Sequence, residues 1–430
     1  MNTSRTRGVS AILACLRVQP LFICGFFSLF ASLFSPPFIN AGQHPILDLK
    51  DFEKTELKTG AFVLPSQMQI HISALGGGGE KGFRSPSHEL FAYGWIIDAA
   101  TRKPVWKMDL ENTSREKDDR TFDGDVTLPK GAYEVYFVAY GYSSHSALTS
   151  FTINIDRRHY DLSKPGDTRR GFFSWFQDLF LGDIDKEWKV RSKNWGITIL
   201  AHDNASGITT YTPPREFPHT VYKAVRLGEQ EHIRQGFVTG KPLSLRIYAL
   251  GEMTDPDQPV DYGWIVDAKN HKRIWKMESS NLRSAGGAEK NVMADDVVKF
   301  PAGEYILYYH TDDSHSFVDW NAAPPDDPCN YGITFAALNE TEKADFKLST
   351  PKEDPNVIVQ LVRVGNDDNR SSTFSLKAES QVHVYALGER GNSSRQMADY
   401  GWIINTKTRE KVWTMDVDRT EHAGGAEKNR

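Results

Sequence analysis

Cysteine is scarce in this chain of 430 residues. There are three, and two of them, Cys15 and Cys24, sit in the N-terminal apolar stretch. With that stretch removed only Cys329 is left, so no intramolecular disulfide can form and the fold must rest on its cores. Clustered basic residues are also missing. The 51 Lys and Arg against 56 Asp and Glu form no long basic run, which excludes nucleic acid as a partner, because neutralising phosphates needs grouped cations. Neither Gly-x-x-x-x-Gly-Lys-Ser/Thr nor Gly-x-Ser-x-Gly occurs, so there is no phosphate loop and no nucleophile elbow. The apolar run at residues 21–34 is shorter than the roughly 20 residues of a membrane span. Arg5, Arg7 and Arg17 precede or flank it, no acidic residue occurs before Asp48, and Ile39-Asn40-Ala41 follows as a cleavage site. Residues 1–41 therefore read as a secretory signal peptide, and the expected location is secreted or periplasmic. The alternative is an uncleaved anchor holding the chain outside the cytoplasm, the only membrane contact expected. Loss of the three arginines takes the formal net charge from −5 to −8.

What the chain has is repetition. Tyr-Gly-Trp occurs at 93–95, 262–264 and 400–402, each time with a second tryptophan eleven residues after the first: Trp106, Trp275 and Trp413. Phe62, Phe237 and Phe374 each lie thirteen residues before a Leu-Gly pair, and Met108, Met277 and Met415 each follow the second tryptophan by two. The first two copies also share Pro-x-Gly-x-Tyr (Pro129 to Tyr133, Pro301 to Tyr305), Ser-His-Ser at 144–146 and 314–316, and an aromatic-Gly-Ile at 195–197 and 331–333. An internal repeat sets the architecture before any other feature does. We read three modules, 45–205, 219–340 and 356–430, with joints at Pro213-Pro214, Pro218, Pro351 and Pro355. The third stops before the Pro-x-Gly-x-Tyr strand. This predicts either a fragment of a longer protein or strands lent by a partner.

The local pattern is β. Large residues alternate in 245–250 and 382–387 with the period of a half-buried strand. Asp98, Asp267 and Asn405 then open turns by bonding backbone N–H groups two residues on. Each module is expected to be an antiparallel, jelly-roll or immunoglobulin-like β-sandwich. Over 62–137, 237–309 and 374–416 the chain resembles bacterial secreted jelly-roll accessory domains of the pre-peptidase C-terminal kind. There too a strand ending near glycine, a tryptophan-bearing hairpin and a Leu-Pro-x-Gly-x-Tyr hairpin follow one another. The resemblance implies an accessory, binding or secretion-assisting role, sometimes with calcium, and no catalysis.

Four features compete for function. The six repeated tryptophans read as core, with a sugar-stacking platform as the alternative. Ala-Gly-Gly-Ala-Glu-Lys-Asn occurs identically at 285–291 and 423–429. It is either a structured connection or a ligand-contacting loop, comprising Gly286, Gly287, Glu289, Lys290 and Asn291 and again Gly424, Gly425, Glu427, Lys428 and Asn429. In the second case the acidic, basic and amide side chains would bond a polar ligand. Asp312-Asp313-Ser314-His315-Ser316, with Asp319 and Trp320, is the densest polar cluster. It reads as a hydrogen-bonded turn, in which His315 and Trp320 could also face a ligand, with calcium on Asp312, Asp313 and Asp319 as the alternative. A soft-metal site there lacks an obvious second imidazole. Module one carries an extra stretch of about 34 residues whose Phe172, Phe173, Phe176, Leu179 and Phe180 form the stripe of a short amphipathic helix. The expectation is a non-catalytic binding or scaffolding protein for an unidentified protein or polysaccharide ligand. The alternative is a set of accessory modules of a secreted enzyme whose catalytic part lies beyond Arg430.

Overall fold

The computed structural model describes residues 44–53, 56–79, 90–116, 119–140, 190–202, 205–255, 258–350, 356–391, 396–423 and 428–430. The signal sequence, the first Ser-His-Ser and the amphipathic stripe lie outside these.

The chain is all-β, as the alternation requires. Module one comprises β1 (His44–Lys50), β2 (Glu56–Leu64), β3 (Met68–Gly78), β4 (Leu90–Asp98), β5 (Lys103–Lys107), β6 (Ser114–Glu116), β7 (Asp119–Leu128), β8 (Gly131–Ala139), β9 (Gly196–Ala201) and β10 (Thr209–Tyr211). Module two repeats the order with β11 (Thr220–Val225), β12 (His232–Thr239), β13 (Leu243–Asp255), β14 (Gln258–Asp267), β15 (Arg273–Lys276), β16 (Arg283–Ser284), β17 (Asn291–Phe300), β18 (Gly303–His310), β19 (Gly332–Ala337) and β20 (Phe346–Ser349), with a short helix α1 (Glu340–Asp345) before the last strand. In both, all pairs are antiparallel and form two layers. One runs β1-β9-β3-β7-β6 and its counterpart β11-β19-β13-β17-β16. The other runs β5-β4-β8-β2-β10 and β15-β14-β18-β12-β20. The layers meet at one corner, where the end of β3 pairs with β4 (Gly77↔Ala92) and the end of β13 with β14 (Glu252↔Asp261).

The repeat residues build this frame. A Cβ on Gly76 or Gly251 would lie 2.0 Å from the carbonyl oxygen of Ala92 or Asp261, so only glycine lets the two strands close the corner. Gly94 and Gly263 each donate their N–H to the sulfur of Met108 or Met277, at 3.3 and 3.4 Å. The tyrosine of Pro-x-Gly-x-Tyr returns its hydroxyl to the proline carbonyl, Tyr133 to Pro129 at 2.8 Å and Tyr305 to Pro301 at 2.9 Å. The expected turns form: Asp98, Asp267 and Asn405 accept from Ala100, Lys269 and Lys407 at 2.9, 2.8 and 2.9 Å.

Among the described residues of 356–430 the strands form two hairpins, β21–β22 (Glu389–Arg390, Met397–Asp399) and β23–β24 (Trp402–Ile404, Lys411–Thr414). The alternating 382–387, expected as a strand, has no ladder. In module two the equivalent β13 lies between β17 and β19, and the described residues of 356–430 form no counterpart of those two. Leu387 is accordingly 65% exposed, where Leu250 is 1% exposed.

Modules one and two are joined by a buried plug. The Asp326-Asp327 segment of module two enters module one, where Trp95 Nε1 donates to the Asp326 carbonyl at 2.8 Å. Arg102 donates through Nε to Asp327 Oδ2 at 2.8 Å, through Nη2 to Asp327 Oδ1, and to both oxygens of Glu134 at 2.8 Å. Tyr136 donates to Glu134 at 2.5 Å, Tyr248 to Asp327 at 2.9 Å and the Arg215 N–H to Glu134 at 2.7 Å. Arg102, Glu134 and Asp327 are all buried. Burial opposes the guanidinium charge, and Asp327 and Glu134 more than offset it; burial also pushes the Asp327 carboxyl up against the pull of Arg102. Cys329 packs into the module-one core. The linker is fastened as well: Phe217 is buried against Tyr248, with Arg246 over its ring.

Candidate functional site

The two polar segments singled out in module two come together at the corner of its sandwich. Gly286 and Gly287 turn the chain with φ of +81° and +67°. A Cβ on Gly287 would lie 1.9 Å from the Pro324 carbonyl oxygen, so the pair is needed for backbone geometry and close approach. The turn brings Asn291 inward. Its amide nitrogen donates to the carbonyls of Gly286 and Ala323 at 2.8 and 2.9 Å, and its Oδ1 meets His315 Nε2 at 2.6 Å. His315 Nδ1 lies 3.0 Å from the Asn321 side chain. Trp320 packs edge-on to both His315 and Tyr331. His315, Trp320 and Asn291 are wholly buried. Burial, with Lys290 nearby, drives the His315 imidazole down to about 3, so it stays neutral at physiological pH.

Lys290 bridges the segments, donating to Glu252 at 3.0 Å and to Asn321 at 2.8 Å. Glu252 pairs across the corner with Asp261. Asp261 accepts the Asp312 N–H at 2.8 Å and the Tyr331 hydroxyl at 2.5 Å. Burial raises the Asp261 carboxyl to about 7 and also raises Glu252, against the pull of Lys290. Glu252 Oε2 is buried without a hydrogen-bond partner among the described residues.

Of the calcium trio read from the sequence, only Asp312 belongs to a close group of three carboxylates among the described residues. Its oxygen lies within 4.8 Å of Glu252 and Asp261, the one such group of three among the described residues. Asp313 and Asp319 are exposed. They stand near Glu229, whose carboxyl is raised by partial burial and by Asp319, Asp313 and Asp312. Glu289 is exposed. Gly424, Gly425 and Glu427 of the second loop copy lie outside the described residues. Lys428 repeats the pairing of Lys290, reaching Glu389 at 2.9 Å, and Asn429 bridges Glu389. Among the repeated tryptophans, Trp95 and Trp275 are buried, Trp106, Trp264 and Trp413 half-buried, and Trp402 46% exposed.

Sequence reasoning passed over Glu252 and Asp261, although Glu252 closes the repeated Tyr-Ala-Leu-Gly-Glu and Asp261 and Asp399 both precede Tyr-Gly-Trp. It also passed over Arg102, Glu134 and Asp327, which share no motif. Beside the corner, an open cleft of about 500 Å³ is lined by Gln230, His232, His310, Thr311, Asp312 and Asp313. No protein-family model matches the chain, and no curated protein is significantly similar to it.

Proposed function

We propose that this chain is a non-catalytic binding or scaffolding protein, exported from the cytoplasm, whose β-sandwich modules stack head to tail. The observation that carries this is a docking face used twice. On module one the face around Trp95, Arg102 and Tyr136 receives Asp326 and Asp327 of module two, and Tyr248 of module two bonds Asp327. On module two the equivalent face holds Trp264, Tyr308 and His271, and Tyr385, the counterpart of Tyr248, stacks on His271 with ring centres 4.3 Å apart. A chain that reuses one face to seat successive modules is suited to holding binding surfaces at fixed spacing. The exposed acids beside the module-two corner, Glu289, Asp313 and Asp319, are the proposed contact edge for a protein or polysaccharide. The buried part of the same region supports a non-catalytic reading, since the His315 imidazole is engaged with Asn291 and faces no solvent. A glycan array and a pull-down from surface extracts, each run with the wild type and with a Glu289→Ala/Asp313→Ala/Asp319→Ala variant, test the reading. Loss of binding at unchanged melting temperature is expected. A ligand retained at full affinity by the variant would remove this edge from the proposal.

A further inference from the structure

We propose that the cleft beside the module-two corner holds a divalent transition-metal ion through His232 and His310. These residues are directly opposite each other at the end of the β12–β18 ladder. Their Nδ1 atoms are 3.0 Å apart, their ring centres 4.6 Å apart and their planes within 8° of parallel. A face-to-face stack keeps nitrogen farther from nitrogen than this, so the rings lie offset, edge toward edge. Two imidazoles bound cis to one ion at about 2.0–2.1 Å place their nitrogens about 2.9–3.4 Å apart. The observed spacing falls within that range.

Without an ion the pair shares one proton in an N–H···N bond. With an ion both Nδ1 lone pairs turn to it, and each ring must be neutral. Asp312 and Asp313 line the same cleft and supply negative potential. The backbone beneath is tied down: the Gln230 N–H donates to the Asp312 carbonyl at 2.6 Å, and Glu231 and Thr311 exchange bonds at 3.0 and 2.8 Å. Imidazole nitrogen selects zinc, nickel or copper over calcium and magnesium. The occupant is therefore a borderline divalent ion, with water completing its shell. Module one has no such pair, because the positions in register there are Leu57 and Val138.

The test is calorimetric titration of the full chain with zinc or nickel chloride above about pH 7, where imidazole is neutral. Copper electron paramagnetic resonance on the same protein counts the bound nitrogens. One ion per chain at micromolar affinity is expected, with two-nitrogen hyperfine structure in the copper spectrum. His310→Gln and His232→Gln should each weaken binding by at least about tenfold. His71→Gln, which alters the separate His71–Asp125–His202 group, should leave it unchanged. No ion bound by the wild type, or undiminished binding in the His232→Gln/His310→Gln variant, would overturn the proposal. The wild-type copper spectrum decides the matter on its own if a variant folds poorly, because a spectrum lacking two-nitrogen structure also rejects the site.

Discussion

Modules one and two are the same sandwich finished differently at two places. At the corner, module one has Gly77 against Ala92, with Trp195 packed over the glycine. Module two has Glu252 against Asp261, and Tyr331 stands where Trp195 does, giving its hydroxyl to Asp261. An apolar filling has been exchanged for a hydrogen-bonded acidic one on an unchanged backbone. At the docking face the contrast runs the other way. Module one buries a guanidinium between two carboxylates, whereas module two offers His271 to a single tyrosine ring. The repeated residues set the frame, and the unrepeated ones decide how firmly each module holds its neighbour.

The largest expected effect breaks the stronger junction. Arg102→Ala leaves Asp327 and Glu134 buried without their cation and should cost about 3–5 kcal/mol, read as a loss of shared unfolding between modules one and two in denaturant. A cost near zero would mean that the plug follows the docking and does not hold it.

The corner contrast is sharpened by pH. The Asp261 carboxyl, raised by burial to about 7, has an ordinary unfolded value of about 3.9. The folded state keeps a proton that the unfolded state releases between those values. Stability from this group is therefore full below about pH 4 and is lost as pH rises through about 7. Asp261→Asn should flatten that part of the profile, an effect of up to a few kcal/mol between about pH 5 and 8 in chemical denaturation. An unchanged slope would assign the pH dependence elsewhere.

Asn291→Ala removes the partner of His315 and two carbonyl bonds. A cost of about 1–3 kcal/mol for the groups left unsatisfied is expected in the melting of module two. The smallest effect belongs to the weaker junction. His271→Ala should cost about 1 kcal/mol or less, visible as faster amide exchange near 382–387 with modules one and two untouched. A larger loss in module two would show that His271 supports its own sandwich.

The frame was legible in the sequence because each repeated residue meets a local demand. The Leu-Gly glycine closes the corner, the methionine sulfur accepts the Tyr-Gly-Trp glycine, and the tyrosine of Pro-x-Gly-x-Tyr bonds four residues back. Such bonds recur at fixed spacing and so leave a pattern. The convergence of the 286–291 loop with the 312–320 turn was not readable, because strand pairing, not spacing, brings residues twenty-odd positions apart into contact. The same holds for Arg102 with Asp327 and for His232 with His310. Trp402 shows the converse. Its motif matches the buried Trp95, yet it is exposed, because burial needs strands on the opposite layer that the described residues of 356–430 do not form.

The central claim is that modules one and two form one body through the Asp326-Asp327 plug. Differential scanning calorimetry of the full chain tests it most directly. The account predicts one cooperative transition covering both modules, which separates into two in Arg102→Ala. Two independent transitions in the wild type would contradict it.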